Sequence, residues 1–167
     1  GITTRNTNLR ELPTNAPHFH TPDGDSWAWP FDNLQRSSTP ANTPIFICHL
    51  SADKSWALVE TSFTFGWIPV EDFASVDNEF IKTWESGRYK VIVRDHTPVL
   101  DENGLFLVRA SVGHIFPSGA GSADKMEVWI AVADRNKQAV IRRGFVQVEA
   151  AAVKPLRFNA VHAAKIA

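Results

Sequence analysis

Cys48 is the single thiol of the chain, and thiol catalysis needs an imidazole within hydrogen-bond reach. His49 is adjacent, but successive side chains of a strand point to opposite faces. The alternation groups Cys48 with Phe46 and Leu50 and turns His49 away. Cys48 therefore reads as a small core residue and not as a nucleophile. His18 and His20, followed by Asp23 and Asp25, offer imidazole and carboxylate ligands, yet their spacing matches no zinc pattern and further ligands would have to come from elsewhere. The run Asp134-Arg135-Asn136-Lys137 has too few acids for a calcium loop and reads as a turn. The small-residue stretch from Gly113 to Ser122 lacks the Gly-Lys-Ser/Thr ending of a phosphate loop. Nucleophile-elbow and paired His/Glu helix motifs do not occur either. The expected catalytic, metal and cofactor sets are therefore all none.

What the chain does carry is aromatic side chains: Trp27, Trp29, Phe31, Trp56, Phe63, Phe65, Trp67, Phe73, Trp84 and Trp129. Most large rings are needed for packing. Those near Asp32, Gln35 and Glu71 are placed in sequence to line a groove for a short peptide or a glycan.

The elements that must position these residues are mostly strands. The opening forty residues, broken by Pro13, Pro17, Pro22, Pro30 and Pro40, read as ordered loop packed over a barrel. From Pro44 onward, Ile45 to Leu50, Trp56 to Glu60 and Phe63 to Pro69 form a predicted meander, with Ser51-Ala52-Asp53-Lys54-Ser55 as its first reversal. Val76, Phe80, Ile81 and Trp84 recur at helical spacing, with Gly87 as the stop, so a helix is predicted across 75–86 as the joint between two barrels. Strands return at Tyr89 to Asp95, Leu105 to Ala110, Glu127 to Val132 and Ile141 to Val148, with Asn103-Gly104 as a hairpin signal. Ala160 to Ala167, capped by Asn159, read as a helix without a C-cap, which predicts that the polypeptide continues.

A hydrophobic share of 44% and a charged share of 21% are enough for a packed core and argue against disorder. A formal net charge of -1, without a basic run, excludes a phosphate-backbone partner, so no nucleic acid is expected. The longest apolar stretches fall far below the roughly 20 residues of a membrane-spanning helix. Residues Gly1 to Arg5 lack the pattern of a secretory signal, which leaves a leader in a longer precursor open.

The order of several motifs carries a resemblance. Trp29-Pro30-Phe31-Asp32-Asn33-Leu34-Gln35, Thr43-Pro44-Ile45-Phe46, Ser51 to Trp56 and Phe65-Gly66-Trp67-Ile68-Pro69, approached through Leu9-Arg10 and Pro13-Thr14, resemble the first bacterial SH3-type domain of NlpC-type cell-wall peptidases. The helix, Tyr89 to Asp95 with Thr97-Pro98, and Val112-Gly113-His114-Ile115-Phe116-Pro117 are similar to that family's second SH3-type domain. Pro155-Leu156-Arg157-Phe158 with the alanine-rich tail is similar to the first helix of its catalytic domain.

The resemblance implies an all-β chain of two small SH3-like barrels joined by a short helix, plus the start of a C-terminal helix. The implied division is a first domain over 1–74 with a loop-rich arm, a linking helix over 75–86, a second domain over 87–154, and the start of a missing catalytic domain over 155–167. It also implies a non-catalytic module that targets a peptidase to the cell envelope and selects peptidoglycan stem peptides. Asp32, Gln35, Trp67 and Glu71 would face the ligand, the acids meeting a free amine and Trp67 giving an apolar wall. The implied partners are those stem peptides and the catalytic domain of the same polypeptide. A different class of reading is an envelope protein-interaction module that binds an extended peptide through its aromatic face.

Overall fold

The computed structural model describes residues 1–19, 30–119 and 124–155. The chain divides between Ala74 and Ser75 into two compact units. The expected helix from Asn159 onward, and the rings of Trp27 and Trp29, lie outside the described residues.

The first unit contains β1 (Ile2–Thr3), β2 (Thr7–Arg10), β3 (Gln35–Thr39), β4 (Phe46–Leu50), β5 (Trp56–Glu60), β6 (Phe65–Pro69) and β7 (Phe73–Ala74). A five-stranded sheet has the order β3-β2-β6-β5-β4, and β1 pairs with β7. Leu9, Ile45, Ala57, Val59, Ile68 and Phe73 form its core. The β4–β5 reversal forms where the turn residues place it. Asp53 accepts from the Ser51 hydroxyl at 2.6 Å, the Ser55 hydroxyl at 2.7 Å and the Ser55 N–H at 3.1 Å.

The opening segment is where expectation and structure differ. It holds three strands, and β2 lies inside the main sheet. Its polar residues at Thr7 and Asn8 carry no strand period, so pairing with β3 and β6 and burial of Leu9 settle the conformation. Cys48 is a second correction, because it is exposed. The β4–β5 register shifts between Ile47 and His49, so Cys48 sits in a bulge and the alternation that would have buried it is broken.

The second unit contains α1 (Asn78–Trp84), β8 (Tyr89–Ile92), β9 (Thr97–Leu100), β10 (Phe106–Ala110), β11 (Ile115–Pro117), β12 (Lys125–Ala133), β13 (Ala139–Gln147) and β14 (Ala151–Val153). Its sheets run β10-β9-β13-β12 and β11-β8-β14. Asp77 caps α1 by accepting from the Phe80 N–H at 2.7 Å, and Phe80 and Trp84 are its buried positions. The helix approach belongs to this unit: the Ser75 N–H donates to Lys137 and the Ala139 N–H donates to Ser75. Asp134 accepts from the Asn136 and Gln138 N–H groups in the β12–β13 turn. The β9–β10 connection is longer than a two-residue hairpin. Gly104 alone of Asn103-Gly104 takes positive φ, and Asp101 accepts from the Asn103 and Leu105 N–H groups.

One junction recurs in both units. Gly66 on β6 lies so close to β2 that a Cβ there would sit 3.0 Å from Leu9 Cβ and 3.1 Å from the Arg10 backbone. Gly144 on β13 lies against β9, with 2.5 Å from such a Cβ to Val99 Cγ1. Each glycine precedes an aromatic residue, Trp67 or Phe145. Each strand then runs into a single 3₁₀ turn, Val70–Asp72 or Val148–Ala150, and into the last strand of its unit.

Candidate functional site

The register of the first sheet places Gln35, Arg10, Trp67, Leu58 and His49 opposite one another across β3, β2, β6, β5 and β4. Paired residues share a face, and this one lies opposite the face that carries Leu9, Ile68, Ala57 and Val59 into the core. The row thus brings Gln35 and Trp67 onto one surface. Trp67 is half-buried, and the exposed ring of His49 meets it edge-on with centroids 6.3 Å apart.

Arg10 organises the row from within. It is 4% exposed, and its guanidinium donates to the carbonyls of Thr14 at 2.9 Å and Ala16 at 2.8 Å, to Gln35 Oε1 at 3.3 Å and to the Asp32 carboxylate. The other Asp32 oxygen accepts from the N–H groups of His18 at 2.9 Å and Leu34 at 3.0 Å. The His18 N–H, the Arg10 side chain and the Leu34 N–H favour the charged form more than partial desolvation opposes it, holding the Asp32 carboxyl down at about 2. Both Asp32 oxygens are therefore committed to folding the 14–18 segment onto β2. Gln35 is committed as well, since its Nε2 donates to the Ser37 carbonyl.

Glu71 stands differently. It is exposed in the 3₁₀ turn after β6, and among the described residues no hydrogen bond or ion pair ties it to Asp32, Gln35 or Trp67. Its neighbour Asp72 is buried, accepts from the Thr7 hydroxyl at 2.5 Å and lies 3.4 Å from Arg5 Nε. Burial pushes the Asp72 carboxyl up, against the lowering by Thr7 and Arg5.

Arg10 is the residue that site reasoning from sequence did not single out. Its signal is an isolated cation beside an inward-facing leucine, which gains meaning only when Asp32 and Gln35 are brought to it. For a metal, His20, Asp23 and Asp25 lie outside the described residues, and among the described residues no three His, Cys, Asp or Glu side chains gather. The Cys48 thiol has the Phe46 carbonyl at 3.9 Å as its contact. No helix among the described residues is long and apolar enough to cross a membrane.

The described architecture is that of two small, mostly β units, each ending in a strand that follows a 3₁₀ turn and pairs in a smaller sheet, β7 with β1 and β14 with β8. Residues 17–69 match the family model of the SH3 domain of SH3b1 type, and residues 77–121 match that of the SH3 domain of SH3b2 type. The chain carries two bacterial SH3-type domains in tandem. Among solved structures it is similar to an NlpC/P60 endopeptidase from Photobacterium damselae subsp. piscicida, with 28% identity and a TM-score of 0.72. The similarity covers 93% of this chain and 33% of that one, so the chain spans about a third of the length of that endopeptidase. No curated protein matches the chain.

Proposed function

We propose that the chain is the accessory part of a cell-envelope cysteine peptidase acting on peptidoglycan stem peptides, and that its first SH3 domain selects which stems reach a catalytic domain beyond this chain. The observation that carries this reading is the Arg10-centred face. It presents Trp67 on a sheet row whose polar end is locked by partly buried hydrogen bonds, which is the preorganisation a recognition surface needs. The similarity to an NlpC/P60 endopeptidase supports the substrate class.

Within this reading the four residues expected at the ligand divide by role. Trp67 supplies the apolar wall and Glu71 the carboxylate that meets a free amine. Asp32 and Gln35 act through Arg10, holding the 14–18 segment in place beside them. Titration calorimetry of the purified chain with stem peptides released from sacculi tests this. Trp67→Ala and Glu71→Gln are expected to weaken binding on the order of tenfold or more, as loss of a ring contact or a charged hydrogen bond does. Binding by Trp67→Ala as tight as by the parent chain would remove the face from the site.

A second reading rests on a separate observation. Phe46 is 69% exposed, and Phe63 and Phe65 are exposed on the same unit, which suits docking of an extended peptide from an envelope partner. Retention on sacculi favours the first reading, whereas capture of a protein from envelope extract that is lost in Phe46→Ser favours the second.

A further inference from the structure

We propose that the first SH3 domain carries a site for a cationic head on an alkyl stem, as a lysine side chain carries its ammonium, formed by Glu60 between Phe46 and Phe65 one row beyond Trp67.

Strand register builds the site. Glu60 on β5 lies opposite Phe46 on β4 and opposite Phe65 on β6. Paired residues share a face, and Leu58 with Trp67 forms the next row on that face, while Val59 between them turns to the core. Glu60, Phe46 and Phe65 are all exposed. Neighbouring strands stand about 4.8 Å apart, so the two rings leave the sheet about 10 Å from each other with the Glu60 side chain between them. The hairpin joining β5 to β6 keeps this row in place: the Thr61 N–H and hydroxyl both donate to the Thr64 carbonyl, at 2.8 and 2.7 Å.

The charges of the unit select the sign of the ligand. Asp32 is spent on Arg10, Glu11 on Arg36 at 2.6 Å, Asp72 on Thr7 and Arg5, and Asp53 on its own turn. Glu60 has no hydrogen bond or ion pair among the described residues. Lys54 lies in the turn at the far end of β5, and His49, the imidazole of this face, packs edge-on against Trp67. The Arg10–Asp32 and Arg36–Glu11 pairs cancel, so the row keeps the uncancelled charge of one carboxylate. Ring faces carry negative partial charge, which gives that carboxylate no support and attracts a cation from the same side as the carboxylate does. Phe65 already behaves in this way, since the Arg36 guanidinium sits 4.2 Å from its centroid. A methylene stem then lies along the rings while its charged head meets Glu60.

Glu60 has no part in the function proposed above, where Glu71 meets the amine. The two carboxylates stand at opposite ends of β6, Glu60 opposite its first residue and Glu71 in the turn after its last, so one can be tested without the other. The test uses the full chain, labelled with nitrogen-15, and three probes: Nα-acetyl-lysine methylamide, its neutral norleucine counterpart, and alaninamide, an ammonium without a stem. The lysine probe is expected to shift amide resonances at residues 45–47 and 58–66, and the other two probes to bind on the order of tenfold more weakly. Glu60→Gln should weaken the lysine probe about threefold to fivefold, as loss of an exposed ion pair does, and Phe46→Leu about twofold, since apolar area stays and the ring face goes. Glu71→Gln should change nothing here. Glu60 and Phe46 are exposed, so both variants keep the fold, which their unperturbed remaining spectra check. No binding of the lysine probe, equal binding of the norleucine probe, or full binding by Glu60→Gln would overturn the proposal. Alaninamide binding as tightly would overturn the stem, and full binding by Phe46→Leu would overturn the ring contribution. A loss in Glu71→Gln with none in Glu60→Gln would overturn the Glu60 site while supporting the role given to Glu71.

Discussion

Trp67 and Phe145 sit at the same point of two related domains and face opposite kinds of surroundings. Trp67 pairs across the sheet with a buried arginine that gathers Asp32, Gln35 and two loop carbonyls. Phe145 pairs with Leu100, and both line a cavity of about 420 Å³. The backbone solution is shared, a glycine at the close strand contact followed by an outward ring and a 3₁₀ turn. The comparison shows that the fold fixes where a surface feature is presented, while the residue opposite the ring decides whether the place is filled by an internal polar network or left hollow.

The sharpest way to break the contrast is to remove the polar hub. Arg10→Met leaves the Thr14 and Ala16 carbonyls and the Asp32 carboxylate without their donor, and is expected to cost the first domain about 2–3 kcal/mol. Urea unfolding followed by tryptophan fluorescence measures it. Leu100→Met at the matching position of the second domain is expected to cost under about 1.5 kcal/mol, as volume-conserving apolar exchanges do. Equal losses would mean that the two junctions are held in the same way.

The paired glycines come next. Gly144→Ala drives a Cβ to 2.5 Å from Val99 Cγ1 and 2.9 Å from Ile130 Cγ1, both buried, and is expected to destabilise the second domain by about 1–3 kcal/mol. Gly66→Ala meets Leu9 Cβ and the Arg10 backbone at 3.0 to 3.1 Å, so β2 itself must shift. Its distinguishing mark is a displaced Arg10 network, read as changed amide shifts at residues 14–18 and 32–35.

Acid and alkali should then separate the domains. The folded Asp32 carboxyl lies at about 2, below its unfolded value, so its stabilisation is present above the ordinary carboxylate range and is lost as pH falls from about 4 towards 2. Asp32→Asn should flatten part of that slope in the first domain; Asp53, also held at about 2 by the hydroxyls of Ser51 and Ser55, adds to the slope, and the raised Asp72 carboxyl opposes it. In the second domain, burial lowers the Lys90 ammonium, whose Nζ donates to the Glu127 carbonyl at 2.7 Å. The unfolded chain there binds the proton more tightly, so stability should rise with pH through the alkaline range below the ordinary lysine value. Lys90→Met should remove that rise. Melting temperatures across pH check both signs, and this is the smallest of the expected effects.

Much of the fold was legible because its signals act over a few residues. Asp53 between two serines, Asp77 before Phe80 and Asp134 before Asn136 each place a carboxylate where nearby N–H groups must be met, and turns and a cap form there. The order of the Trp29, Thr43, Ser51 and Phe65 motifs carried the family resemblance. Less of the site was legible. Asp32, Gln35 and Trp67 were picked out as ligand-facing, but the first two spend their polar atoms on Arg10 and on the backbone beside them.

What the amino-acid order determined by itself was local: reversals, caps, strand tendency and hence two small SH3-type domains. Tertiary structure alone decided that polar Thr7 and Asn8 belong to an inner strand, that a bulge exposes Cys48, and that Arg10 meets Trp67 while Leu100 meets Phe145. The reason is physical. A turn is satisfied by hydrogen bonds within its own residues, whereas the partner of a strand residue is chosen by register and burial between segments far apart in the chain, and neither is written in the residues adjoining it.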